Sequence, residues 1–192
     1  MHRLFFDYID DNFLMLTTKK LDIPYNKLIN KISKKVKLNT SNLVRIKQIH
    51  SNNVLHATKS GFHNNYDGII TNIKYDITPI IVTADCVPLF IYDKIAGNYG
   101  IIHCGWRGIV LNIHLKAIEK FILLSSKIND IKIYSGPSIK NCCYEIGEDI
   151  IEKFTSEAVK LYDCKYYLSL IDQINYDFTK LGINNKKITH SN

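Results

Sequence analysis

Three short segments carry side chains able to bind a metal or move protons. Gln48-Ile49-His50-Ser51 ends one apolar stretch, Thr83-Ala84-Asp85-Cys86-Val87-Pro88 separates two others, and His103-Cys104-Gly105-Trp106-Arg107-Gly108 ends a further one. Each offers one soft or borderline donor, His50, Cys86 or His103, at the end of an expected strand, where loops held by a sheet concentrate functional groups. Two imidazoles and a thiolate suit Zn²⁺, and three protein donors leave a fourth position open for water or substrate. A structural zinc site is normally closed by a fourth Cys or His, often through C-x₂-C spacing. Here the gaps are 36 and 17 residues, so zinc held by this set is expected to be catalytic. Each residue taken singly also fits a plainer role: a hydrogen-bonded strand-end histidine, a small core cysteine, a salt-bridging Arg107, a packing Trp106.

Arg107 is one of three arginines set against 22 lysines, and Ile, Lys and Asn together make up 71 of the 192 residues. Where lysine is used so freely, an arginine points to a need for the planar, two-pronged guanidinium. The net charge of +7 and a pI near 9.0 raise nucleic acid as a partner. The densest basic stretch, 31–37, is interleaved with apolar residues and preceded by Leu28 and Ile29. It reads as the wet face of an amphipathic helix, so no nucleic-acid partner is expected. Five cysteines, an odd number, read as thiols rather than a disulfide framework. Cys142 and Cys143 are adjacent, and such neighbours bridge only with strained geometry, so free thiols are expected there too. The first residues show no secretory pattern and no apolar run reaches the ~20 residues of a membrane helix. The expectation is a cytoplasmic protein away from the membrane.

The elements that must position these groups fit one domain spanning residues 1–192, with 46% hydrophobic and 22% charged residues. Asp22-Ile23-Pro24 predicts a capped helix start running to about Val36. Strands are expected over 43–49, 54–58 and 68–71. Others are expected over 77–83 and 89–92, with little alternation, as in strands covered on both faces, and over 99–103. Gly105 and Gly108 bracket an expected tight turn before a helix whose apolar residues run from Val110 to Ile122. Beyond it come a strand over 131–134, a helix over 146–158, a strand over 166–170, a helix over 174–181 and a final strand over 187–189. This order predicts an α/β (α+β) domain of packed mixed sheets flanked by helices.

The succession Q-x-H-S, A-D-C-x-P and H-x-G-W-R-G, followed by Gly136-Pro137-Ser138-Ile139 and Cys143-Tyr144-Glu145-Ile146-Gly147, resembles the YfiH/LACC1 family over residues 47–182. Members of that family were once called polyphenol oxidases or laccases and are now assigned as zinc-dependent purine nucleoside phosphorylases. The resemblance implies metal ligands at His50, Cys86 and His103, the same three residues that coordination chemistry selects. It implies phosphorolysis of adenosine, inosine, guanosine and methylthioadenosine, deamination of adenosine, and a fold akin to the cytotoxic necrotizing factor catalytic domain. For such chemistry Arg107 is expected to bind phosphate or substrate oxygens, and Asp85 to orient a ligand or move a proton.

The chain also departs from the family pattern. Leu16-Thr17-Thr18-Lys19 stands where an Arg-ending segment is usual, a glycine loop is missing, and the C-terminal motif region has no counterpart before Asn192. The expectation is a metal site retained while elements that close the substrate pocket are shortened. Three alternatives therefore stand beside the phosphorylase. One is a cysteine hydrolase or amidase with Cys86 as nucleophile and His103 as base. The second is a weakened relative that binds zinc without turnover. A laccase is the third, and seven histidines in all are few for multicopper oxidation.

Overall fold

Ile69 and Ile70 are neighbours in sequence and both fully buried, yet they pack into two different hydrophobic clusters. Successive side chains of a strand face opposite sides of its sheet, so this strand must be covered on both faces. The computed structural model, which describes residues 4–10, 13–18, 25–184 and 187–190, is layered in that way. In chain order come β1 (Leu4–Asp10), β2 (Phe13–Thr18), α1 (Tyr25–Val36), β3 (Leu43–Lys47), β4 (Val54–His56) and β5 (Gly61–Asn64). Then follow β6 (Gly68–Asn72), β7 (Thr78–Ile80), β8 (Val87–Asp93), β9 (Asn98–Cys104), α2 (Trp106–Val110) and α3 (Ile113–Leu123). The last third holds β10 (Lys132–Ser135), β11 (Glu145–Ile146), α4 (Glu148–Ile151), β12 (Val159–Tyr162), β13 (Lys165–Leu168), α5 (Leu170–Lys180) and β14 (Ile188–His190).

Six strands form the central mixed sheet in the order β14-β10-β8-β9-β6-β4. One face is covered by helices: Ile113, Ala117, Ile118 and Phe121 of α3, with Leu170, Ile174 and Phe178 of α5, meet Ile70, Leu89, Ile91 and Ile102. The other face carries a parallel three-stranded sheet, β5-β3-β7, whose Val44 and Ile46 pack with Ile69, Ala57 and Ile77. Each such fully buried aliphatic or aromatic side chain contributes about 1.5–3 kcal/mol by leaving water. A small antiparallel sheet, β11-β13-β12, adds Ile146 and Leu168 to the helix-side core. β1 and β2 pair antiparallel as a separate hairpin. The α/β architecture of packed mixed sheets flanked by helices is thus the one the sequence predicts.

Several local expectations are corrected. The cap at Asp22-Ile23-Pro24 lies outside the described residues. In the helix that follows, Ile29 and Ile32 are buried while Lys31 and Lys34 are exposed, the predicted amphipathic division. Residues 77–83 are not a long strand covered on both faces: only Thr78–Ile80 pairs, and Val82 is 67% exposed. Gly105 and Gly108 do not bracket a turn. Gly105 is the N-cap of α2 and Gly108 lies inside that helix. Residues 146–158 are not one helix, because Glu145 and Ile146 pair with Tyr167 and Tyr166. The single turn of α4 ends at Ile151, and beyond it the backbone N–H of Thr155 donates to the Gln173 side chain at 2.9 Å. β5 has no period-2 apolar signal and exists because its backbone pairs with β3. β12, where Val159 and Leu161 alternate with Lys160, is a strand the sequence reading did not expect, paired with β13.

Candidate metal centre

β8 and β9 pair antiparallel with Val87 opposite Cys104 and Pro88 opposite His103. One residue farther out, Cys86 and Gly105 therefore meet where the two strands part. On the other side of β9, Asp67 stands directly before β6, and its carbonyl accepts from the backbone N–H of His103 at 2.7 Å. Three neighbouring strands of the central sheet thus deliver Cys86, His103 and Asp67 to one end of the sheet. His50 arrives from the other layer, on the loop that leaves β3, with its backbone in the left-handed region at φ 60°. Histidine tolerates that conformation better than most residues do, but it needs fixing by its surroundings.

The fixing group is the Asp67 carboxylate, which is completely buried. Its Oδ1 accepts from the backbone N–H of His50 at 2.9 Å and of Ile49 at 3.1 Å. Its Oδ2 accepts from the backbone N–H and hydroxyl of Ser51 at 2.6 and 2.7 Å. His103 Nδ1 lies 3.0 Å from Oδ1. Burial works against the charge of Asp67, but these donors, His103 first, outweigh it and hold the carboxyl at about 2. For His103, burial disfavours the charged ring. The Asp67 carboxylate and the Cys86 sulfur overcome it and raise the imidazole to about 9.

His50, Cys86 and His103 come together with their donor atoms all within 4.8 Å of one another, and they are the one such group among the described residues. The two imidazole rings stand edge to face, 4.8 Å between centroids. Gly105 keeps the space between them open: a Cβ there would lie 2.9 Å from Cys86 Sγ, 3.2 Å from His50 Cδ2 and 3.8 Å from His103 Nε2. A cradle that one carbon would fill, lined by two nitrogens and a sulfur, fits a borderline divalent ion and leaves a coordination position free. Cys104 is no donor, because it is fully buried in the helix-side core and burial pushes its thiol far up.

The other two predicted site residues are exposed neighbours of the donor segments and not members of the donor group. Arg107 is exposed, its guanidinium carbon 4.4 Å from the Trp106 ring centroid. Asp85 is exposed, and its backbone carbonyl accepts from Ile139 at 3.0 Å, which ties the Gly136-Pro137-Ser138-Ile139 loop to the site. Tyr144, half-buried, is within electrostatic reach of both. Burial raises its phenol, Cys86 and Asp85 add to the rise, and Arg107 opposes it. Sequence reasoning missed Asp67, although an acid directly before the apolar run Gly68-Ile69-Ile70 was a usable signal. Tyr144 lies within the Cys143-Tyr144-Glu145 motif, whose spacing alone assigns it no role. Of the remaining histidines, His114 is buried with Nε2 2.9 Å from Asp177, and His190 Nδ1 lies 2.6 Å from the Ser135 hydroxyl.

Comparison with known proteins follows the same lines. Residues 25–192 match the family model described as multi-copper polyphenol oxidoreductase laccase. A purine nucleoside phosphorylase of Borreliella burgdorferi is 27% identical over 196 residues, covering 95% of this chain and 80% of that protein. An adenosine deaminase, RL5, from an unknown prokaryotic organism is 33% identical over 97 residues, 50% of this chain and 37% of its own length. Three further purine nucleoside phosphorylases are matched over 52%, 45% and 41% of their lengths. The crystal structure of the Bacillus licheniformis hypothetical protein YfiH superposes with a TM-score of 0.78 at 25% identity, over 84% of this chain and 67% of that one. With seven-eighths of its length inside the family model and this backbone likeness, the chain belongs to the YfiH/LACC1 family, the polyphenol oxidoreductase laccase family of the older description.

Proposed function

We propose that the protein is a zinc-dependent purine nucleoside phosphorylase of the cytoplasm, acting on adenosine, inosine, guanosine and methylthioadenosine, with adenosine deamination at the same site. The observation that carries this reading is the convergence of the His50, Cys86 and His103 donors around the opening that Gly105 leaves. The names of the relatives, phosphorylases and a deaminase, supply the substrate class. His50, Cys86 and His103 would hold zinc, which would supply Lewis-acid chemistry there. Phosphorolysis breaks the bond from ribose C1′ to the purine and makes one from C1′ to a phosphate oxygen. Arg107, fixed against Trp106, holds the phosphate through its fork. Asp85 and Tyr144 flank the same opening, and each holds or moves a proton for the departing base. Deamination exchanges the C6 amino group for a water oxygen and releases ammonia, with Asp85 as the proton carrier.

The test is incubation of zinc-quantified protein with inosine or adenosine, with and without phosphate, followed by product analysis. Hypoxanthine and ribose 1-phosphate appearing only with phosphate is the expected result. Zinc-loaded protein that yields neither free base nor inosine overturns the reading. A second reading draws on one specific feature: Cys86, His103 and Asp67 stand in hydrogen-bonded succession, the order of a thiol hydrolase. Metal-free protein whose Cys86 is rapidly alkylated favours it. One zinc per chain, lost on His50→Ala, favours the phosphorylase. Multicopper oxidation finds less support, since it needs more donors than the one three-residue group among the described residues.

A further inference from the structure

Asp67 belongs to none of the motifs, yet its side chain touches both histidine-bearing segments. Its two oxygens meet the N–H groups of Ile49, His50 and Ser51, the Ser51 hydroxyl, and the ring nitrogen Nδ1 of His103. The three backbone N–H groups and the hydroxyl are all donors, which a carboxylate satisfies and an amide does not, and against a carboxylate the His103 Nδ1 is matched as a donor too. With Nδ1 of His103 turned to Asp67, the nitrogen left for the opening is Nε2, and Nε2 is the His103 atom that faces the space over Gly105. The same carboxylate gathers three consecutive backbone N–H groups around His50, whose φ of 60° departs from the ordinary regions. The Asp67 carbonyl also accepts the His103 backbone N–H, so side chain and main chain act on one ligand together.

We propose that Asp67 is the positioning residue of the metal centre, one buried carboxylate that sets the tautomer of His103 and the loop conformation that presents His50. The inference rests on the zinc reading above. Its chemistry is that of an outer-shell carboxylate, whose removal typically lowers metal affinity 10–100-fold. Here the loss is expected toward the upper end, because two ligands depend on one residue. Asp67→Asn replaces an acceptor oxygen with an NH₂ group. If that group faces Ser51, it meets a backbone N–H where the carboxylate had an acceptor, at 2.6 Å.

The test compares zinc affinity, by competition with a chromophoric chelator, in wild type, Asp67→Asn and Asp177→Asn. The last variant removes the charge that faces a buried histidine in the helix layer and controls for plain destabilisation. Long-range ¹⁵N–¹H spectra of zinc-loaded wild type report the His103 tautomer independently, so the test survives an Asp67 variant that does not fold. The expected results are a proton on His103 Nδ1, a zinc affinity at least tenfold weaker in Asp67→Asn, and one within about twofold of wild type in Asp177→Asn. Wild-type affinity in Asp67→Asn, an equal loss in Asp177→Asn, or a His103 metallated through Nδ1 overturns the inference while leaving the zinc reading standing. Wild type that takes up no zinc overturns both.

Discussion

At Gly105 a single carbon separates an open site from a filled one. The Cβ of Gly105→Ala would stand 2.9 Å from Cys86 Sγ, closer than van der Waals contact allows, and 3.2 Å from His50 Cδ2, so two of the three donor side chains must shift to admit it. The expected outcome is a folded protein, by far-UV circular dichroism, whose zinc content falls from about one per chain to a small fraction of that. Arg107 tests a different link. Arg107→Lys keeps the charge and loses the fork, so the phosphate KM should rise about tenfold, the scale of one charge-assisted hydrogen bond, with zinc content unchanged. An unchanged phosphate dependence takes Arg107 out of the mechanism. These two residues also show what a sequence discloses at this scale. His50, Cys86 and His103 were legible because their side-chain types have few other uses in combination. Asp67 was legible only as an acid set directly before an apolar run, a weak signal because such an acid is ordinarily solvated. Its role arises from side-chain contacts 16 to 36 residues away along the chain.

Elements depend on contacts of the same long-range kind. The sequence predicts a helix over 146–158 from local apolar spacing, but Ile146 pairs with Tyr166 of β13 and, past the end of α4, the N–H of Thr155 goes to Gln173 on α5. The strands over 68–71, 89–92 and 99–103 were legible, because fully covered strands need unbroken apolar runs. β5 was not, since most of it is exposed and only backbone pairing defines it. Between α3 and α5, His114 is fully buried and its Nε2 lies 2.9 Å from Asp177. Burial alone would raise the Asp177 carboxyl, but hydrogen bonds from His114 and Gln173 outweigh it and hold the group below its usual value. A carboxyl depressed in the folded state stabilises the fold above its unfolded value, about 3.9, and loses that contribution as pH falls through the folded value. The melting temperature of Asp177→Asn should therefore lie below that of wild type at pH 6–7, and the gap should narrow below about pH 4. A gap constant over that range would show that the pair contributes no proton-linked stability.

For the whole molecule, the arrangement of layers gives metal binding a consequence beyond chemistry. His50 comes from the loop that leaves the small parallel sheet, while Cys86 and His103 come from the central sheet, so an ion held there would join two layers that also meet through apolar contacts such as Val44 and Ile46 against Ile69 and through the Asp67 hydrogen bonds. That two sheets would stack this way was legible only as a class, mixed sheets with helices. Which strands formed which sheet depended on parallel pairings such as Val44 with Gly61 and Val44 with Pro79, and no local pattern specifies those. A ligand bound only by the folded state adds RT ln(1 + [L]/Kd), about 4 kcal/mol at a thousandfold excess over Kd. At about 2–4 °C per kcal/mol for a chain of this size, saturating zinc should raise the melting temperature by roughly 8–16 °C over chelator-treated protein. His50→Ala removes the donor from the small sheet and leaves the other two, so most of that rise should vanish while its chelator-treated melting temperature stays near that of wild type. The comparison is a thermal melt of both proteins with zinc and with chelator. An equal zinc-induced rise in the two would mean that the ion is held elsewhere than across the layers.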